Sequence, residues 1–251
     1  MSGSTSSRVI LWEDTGFGLR GYAPGRPCRD PGSMTAPSAP AAVVPAHAVP
    51  AAARVSMALT GALFAGVLTS FGQAVPGLAS ISNAAGPWFV VAAALCLLAG
   101  VRAGRVALPV AMVLGVVLLE LMHVGYWAAT NLRGYPDSLS LSVWLLLGVP
   151  AGLLAGAVAV AVRSTDERWR GAALGVSAAV LVGEGVRALL QVADTTGAAT
   201  WIVEVAVGLA ALVVGVAVAR TPTGRVVALG TGVVGTVAVL AAYLALGGAG
   251  S

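Results

Sequence analysis

Seven apolar stretches, at 55–75, 84–101, 106–127, 139–162, 171–190, 201–219 and 226–246, fill nearly all of the chain beyond residue 54. Each is about as long as a helix must be to cross a hydrocarbon core of about 30 Å at about 1.5 Å per residue. A soluble fold does not accommodate them, because buried core helices rarely run past about 14 apolar residues without a polar face. Composition agrees: only 10% of the residues are charged and 58% are apolar, whereas a soluble domain carries about 25% charged residues. The expected fold class is therefore all-α. It is a polytopic transmembrane bundle of about seven helices over residues 55–247, preceded by a tail over 1–54.

The tail reads differently. It is rich in Pro, Ser, Gly and Ala, with Pro24, Pro27, Pro31, Pro37, Pro40, Pro45 and Pro50 spread along it. A segment of that composition buries too little apolar surface to offset its chain entropy, so disorder is expected there. It lacks the basic start and short apolar core of a signal peptide. Met34 opens the run to Arg54 and stands as a second candidate start. Cys28 in the tail and Cys96 in the second apolar stretch are in different surroundings, which argues against a disulfide.

All 14 basic residues are arginine, and their placement gives an orientation. Arg8, Arg20, Arg26, Arg29, Arg54, Arg102, Arg105, Arg163, Arg168, Arg170, Arg220 and Arg225 fall on one side of the seven crossings. Arg133 and Arg187 are the exceptions. Positive charge is retained on the cytoplasmic face, so the expected location is a bacterial cytoplasmic membrane, with the N-terminus inside and the C-terminus outside. Trp88, Tyr126, Trp127, Tyr135 and Trp201 then fall near the outer interface and Trp169 near the inner one, where amphipathic rings are favoured. The pI near 9.7 does not point to nucleic acid, since the positives are dispersed over loop ends and form no basic face.

Lipid supplies no hydrophobic drive between helices, so small residues must allow close packing. Gly148, Gly152 and Gly156 recur every fourth residue in the fourth stretch, beside a bending Pro150. Gly171 with Gly175, and Gly61 with Ala65, repeat the spacing. The first of these faces is a candidate homo-oligomer contact or a contact within the monomer.

Ionisable groups inside the apolar stretches are the candidate functional residues, because a charge at the bilayer centre costs about 2.5–3.5 kcal/mol on insertion scales. They are Glu120 and His123, one turn apart in the third stretch, Glu184 and Arg187 in the fifth, and Glu204 in the sixth. The arginine orientation puts all five in the outer half, where they are expected to line one polar chamber. Two readings stay open. In one, the carboxylates and His123 bind a proton or cation, balanced by Arg187. In the other, Arg187 pairs with Glu184 or Glu120 and the charges only hold helices together. Gly183 and Gly185 flank Glu184 and imply close backbone approach or a loosened helix there. Asn83, Arg133, Tyr135, Asp137 and Asp194 lie in the turn-rich outer loops as candidate contacts.

Asn83, Gly86-Pro87-Trp88, Gly125-Tyr126, Arg133-Gly134-Tyr135-Pro136, Gly183-Glu184-Gly185 and Asp194-Thr195-Thr196 occur in that order. On these residues, the chain over about 57–218 resembles an uncharacterised family of bacterial multi-pass membrane proteins, a domain of unknown function. The family carries a second tyrosine where this chain has Trp127. The resemblance implies fold and location and assigns no chemistry.

The sequence holds no phosphate loop, HExxH, GxSxG or paired-cysteine metal spacing, so no enzyme activity, metal or cofactor is expected. A bis-histidine haem would need a second helical histidine beside His123. The expected function is a small-solute or ion transporter, or a channel-like protein, with an outward polar cavity. The alternative is a non-catalytic membrane protein that binds a partner or ligand through its outer loops.

Overall fold

A computed structural model describes residues 49–102, 107–136 and 143–248. Among them every regular element is a helix: α1 Ala51–Gly72, α2 Ala79–Ser82, α3 Ala85–Leu98, α4 Ala107–Leu132, α5 Val143–Ala161, α6 Glu167–Gln191, α7 Ala193–Thr196, α8 Ala199–Val218 and α9 Pro222–Gly248. Six of these, α1, α4, α5, α6, α8 and α9, are long and apolar enough to cross a membrane. The chain is a multi-pass membrane protein. The expected tail falls outside the described residues as far as position 48, and Asp137 does too; the tail's last residues, Ala51 to Arg54, instead form the first turn of α1 behind Pro50.

Local chemistry sets the helix ends. Asp166 caps α6 by accepting the Arg168 amide at 2.9 Å, as a short acidic side chain does for otherwise orphaned first-turn N–H groups. Pro222 opens α9 at the position that needs no donor, behind Thr221, whose hydroxyl accepts the Gly224 amide at 3.2 Å. Gly100 and Gly134 follow α3 and α4 with φ of 84°, a left-handed stop that glycine adopts without a Cβ penalty.

The interior is built of small residues and the outside of large ones. Ala58, Ala62, Ala92, Ala155 and Ala159 are fully buried, while Phe64, Leu68, Val113, Ile202, Val213 and Val234 are exposed. That inversion suits a bundle in lipid, where contact between backbones replaces hydrophobic drive. The glycine face of α5 shows it. A Cβ on Gly152 would sit 2.5 Å from Val116 Cα, and one on Gly156 would sit 2.0 Å from the Ala111 carbonyl. Of the two readings of Gly148, Gly152 and Gly156, this geometry is the contact within the chain, against α4. α1 also packs on α4, and α6 packs on both α8 and α9. α3 touches α1, α4, α5 and α6 and so joins the two groups.

The second apolar stretch departs most from expectation. Its helix α3 has 14 residues, about 21 Å at about 1.5 Å per residue, short of the about 30 Å core. Its C-terminus reaches the bundle end that holds Arg54, Arg102 and Arg163, called the arginine end below. Its N-terminus stops inside, beneath the segment 73–84, which carries α2. This opposite end, formed by 73–84, 133–136 and 192–198, is called the distal end.

Candidate functional site

The buried start of α3 poses a physical demand. The first four N–H groups of a helix have no partner within it, and in a bilayer no water meets them. Here each is resolved. The Ala84 amide donates to the Ile81 carbonyl at 3.3 Å, the Ala85 amide donates to Glu184 Oε1 at 2.7 Å, and the Gly86 amide donates to Glu184 Oε2. Pro87 has no N–H to satisfy. An acid on α6 therefore closes α3, and its negative charge sits at the positive end of the helix dipole. The Tyr243 hydroxyl of α9 donates to the same carboxylate at 3.3 Å. Gly183 and Gly185 let the neighbours come close on either side of Glu184: Cβ atoms there would meet Val239 Cβ and Val205 Cγ2, each at 2.7 Å.

Glu204 of α8 reaches the same place. A Cβ on Gly86 would be 2.3 Å from Glu204 Oε1 and 2.9 Å from Glu184 Oε2, so only glycine leaves room for both acids. Glu204 is 7% exposed, and neither of its oxygens has a hydrogen-bond partner.

Glu120 and His123 form a second centre, on α4 against α3 and α5. The His123 Nδ1 is 3.0 Å from the Leu119 carbonyl and 3.8 Å from Glu120 Oε2. Neither Glu120 oxygen has a hydrogen-bond partner. A Cβ on Gly148 would lie 2.4 Å from Glu120 Oε1, so this glycine makes room for the acid. Trp88 lies with its ring centre 4.8 Å from that of His123 and 6.2 Å from that of Tyr126.

The five candidate charges do not share one chamber. A cavity of about 790 Å³ is lined by His123 with Trp88, Tyr126, Trp144 and Tyr243, and by Gln73 and Asn83 toward the distal end. A second cavity of about 630 Å³ is lined by Glu184, Arg187, Ser80, Thr196 and Trp201. Asn83 and Trp144 belong to both walls. Glu120 and Glu204 line neither and stand behind His123 and Glu184. The separation follows from α3, which lies between the two centres. α4 also runs to Leu132, beyond the expected 127, which brings Glu120 to its middle and not to its outer half.

Arg187 pairs with neither acid: its Nε donates to Gln191 at 2.8 Å and its guanidinium lies 4.9 Å from the Tyr243 ring centre. Arg133 turns inward, donating to the Ser70 carbonyl in the last turn of α1 and lying 5.3 Å from the ring centres of Phe71 and Tyr135. Arg163 does the same for α3, donating to the carbonyls of Val101 at 2.5 Å and Leu97 at 2.9 Å, and Arg225 Nε donates to Ala219 at the end of α8 at 3.0 Å. These arginines close helix C-termini, where positive charge is favoured. Tyr135, beyond the end of α4, and Asp194, within the short helix α7 and not a loop, are both exposed. Trp88 and Trp201 face protein: Trp88 lies tilted against His123 and edge-on to Tyr126, and Trp201 is 5% exposed and donates to Thr196 at 2.8 Å.

Sequence reasoning missed Tyr243, Gln73 and Trp144. The signal for the first two was available, as each is a polar group within an apolar stretch. Gln73 accepts from the Tyr126 hydroxyl at 3.1 Å and donates to Asn83 at 3.1 Å.

Residues 45–248 match a family model described as a family of unknown function (DUF6518). No curated protein and no solved structure matches the chain.

Proposed function

We propose, for a chain that belongs to this family of unknown function, that it is a transporter of small, largely apolar solutes bearing one polar group. The observation that carries this reading is the about 790 Å³ cavity. It has the size of a small-molecule site, its walls are aromatic, and Gln73 and Asn83 give it one polar end. Its floor reaches His123, behind which Glu120 keeps two oxygens with no hydrogen-bond partner. A half-buried acid whose only polar neighbour is a histidine 3.8 Å away is costly in a membrane and is a functional candidate for that reason. In this reading the solute's apolar body lies among Trp88, Tyr126 and Trp144, its polar group meets His123 or Asn83, and Glu120 exchanges a proton or cation as the solute moves. No bond-making step is involved.

The arginine bias supports placing the cavity mouth outside, in a bacterial cytoplasmic membrane with the N-terminus inside. A second reading, a non-catalytic protein that binds a partner through its distal loops, draws support from the exposed Tyr135 and Asp194.

The test uses the purified full chain in proteoliposomes under an imposed pH gradient, with labelled indole, benzoate and benzylamine as probes. Uptake of at least one probe, lost in Glu120→Gln, is expected. No uptake of any of the three, with no change in tryptophan fluorescence on adding them, would overturn the reading.

A further inference from the structure

We propose that Glu184 and Glu204 form a proton-binding site at the buried start of α3, in which one exchangeable proton is held between the two carboxylates. This inference does not depend on the transport reading, since it concerns the other side of α3.

The two acids have unequal surroundings. Glu184 is fixed as an acceptor by the Ala85 and Gly86 amides and the Tyr243 hydroxyl. It sits at a helix N-terminus, which favours an anion. Glu204 is 7% exposed and no donor reaches either of its oxygens. Both converge on the space above Gly86. If both were ionised, two like charges would face each other where the local dielectric is low. One proton on Glu204 removes the second charge and turns an orphan oxygen into a donor toward Glu184.

The groups packed around the pair supply no cation to Glu204. From α6 the nearest cation is Arg187, engaged by Gln191 and the Tyr243 ring. From α9 comes Tyr243, already donating to Glu184. From α3 come only N–H groups, and α8 supplies Glu204 itself. Asp194 of α7 is exposed. A metal cation fits poorly: the helix N-terminus opposes it, and the described residues contain no group of three or more metal-binding acids, histidines or cysteines. The about 630 Å³ cavity lined by Glu184 and Arg187 gives the proton a route from the distal end. Losing the proton places a second anion against Glu184, and the strain falls on the contact of α8 with the start of α3.

The experiment is infrared spectroscopy of the full chain in lipid nanodiscs, titrated from acid to alkaline pH and repeated in heavy water. A carboxylic-acid carbonyl band is expected that shifts in heavy water and disappears on alkaline titration. It is lost in Glu204→Gln and retained in Glu120→Gln, which separates the pair from the acid beside His123. Thermal unfolding gives a second readout. Glu204→Gln should melt at or above the wild-type temperature and lose the wild-type fall at alkaline pH. An acid band unchanged by Glu204→Gln would overturn the proposal. So would a Glu204→Gln protein as destabilised as Glu184→Gln, because Glu204 would then be a required anion.

Discussion

Glu184 on α6 accepts the Ala85 amide at 2.7 Å, so an acid inside one helix caps the start of another that precedes it by 99 residues. The relationship explains three sequence features together: glycines beside Glu184, glycine at 86, and proline at 87, where a donor would otherwise be stranded. It also shows why the acid is tolerated in the bundle. Its two oxygens supply the acceptors that the first N–H groups of α3 need, and its charge meets the positive end of that helix.

Glu184→Gln is therefore a severe substitution despite its similar shape. A glutamine side chain offers one acceptor oxygen where two amides need one each, and it turns an NH2 group toward the other. One stranded amide costs about 1–3 kcal/mol, and Glu184→Ala strands both. The expected order of melting temperatures in mild detergent is wild type, then Glu184→Gln, then Glu184→Ala. Equal temperatures for all three would show that α3 does not need this cap.

Arg163→Lys tests the opposite end of the same helix. The guanidinium reaches the Leu97 and Val101 carbonyls with two separate nitrogens, a fork that a lysine ammonium does not reproduce. Charge is preserved, so any role in orientation is preserved with it. A loss of about 1 kcal/mol is expected, the size of a typical net hydrogen bond, with orientation unchanged. Arg163→Ala should lose more stability and still insert correctly, because Arg168 and Arg170 remain on that side.

The long helices were legible because a bilayer imposes one local requirement, an apolar run of fixed length, and α1, α4, α5, α6, α8 and α9 each meet it. The ionisable residues were legible for the same reason: Glu120, Glu184 and Glu204 interrupt those runs. Their partners were not, since partnership depends on which helices cross. Arg187 sits one turn from Glu184 in sequence yet turns to Tyr243, and Glu204 meets Glu184 only because Gly86 leaves space. The depth of α3 was the main loss. The stretch 84–101 has a suitable length, but its first residues are a cap with a proline, and counting hydrophobic residues does not separate a cap from a span.

Gly152→Ala distinguishes packing within the chain from packing between copies. The added carbon would lie 2.5 Å from Val116 Cα and 2.6 Å from its nitrogen, and backbone atoms do not step aside as a flexible side chain would. α4 and α5 must separate, at the about 1–3 kcal/mol typical of overpacking. The expected result is a lower melting temperature with no change in oligomeric state by light scattering. A shift in oligomeric state without loss of stability would restore the glycine face as an intermolecular contact.

The capping geometry changes what the arginines can be asked to report. Arg133 and Arg163 each close a helix C-terminus at opposite ends of the bundle, so a cap alone says nothing of inside and outside. The orientation rests instead on the imbalance between the ends, which counts against translocating the arginine end. Single cysteines can decide it. Replacing Cys28 removes the one cysteine of the tail, and Cys96 is fully buried and should stay silent. Thr195→Cys at the distal end and Thr165→Cys at the arginine end place thiols on exposed positions. A membrane-impermeant maleimide added to intact cells should label Thr195→Cys, and label Thr165→Cys only after permeabilisation. The reverse pattern would turn the bundle over and carry the mouth of the aromatic cavity to the cytoplasmic face.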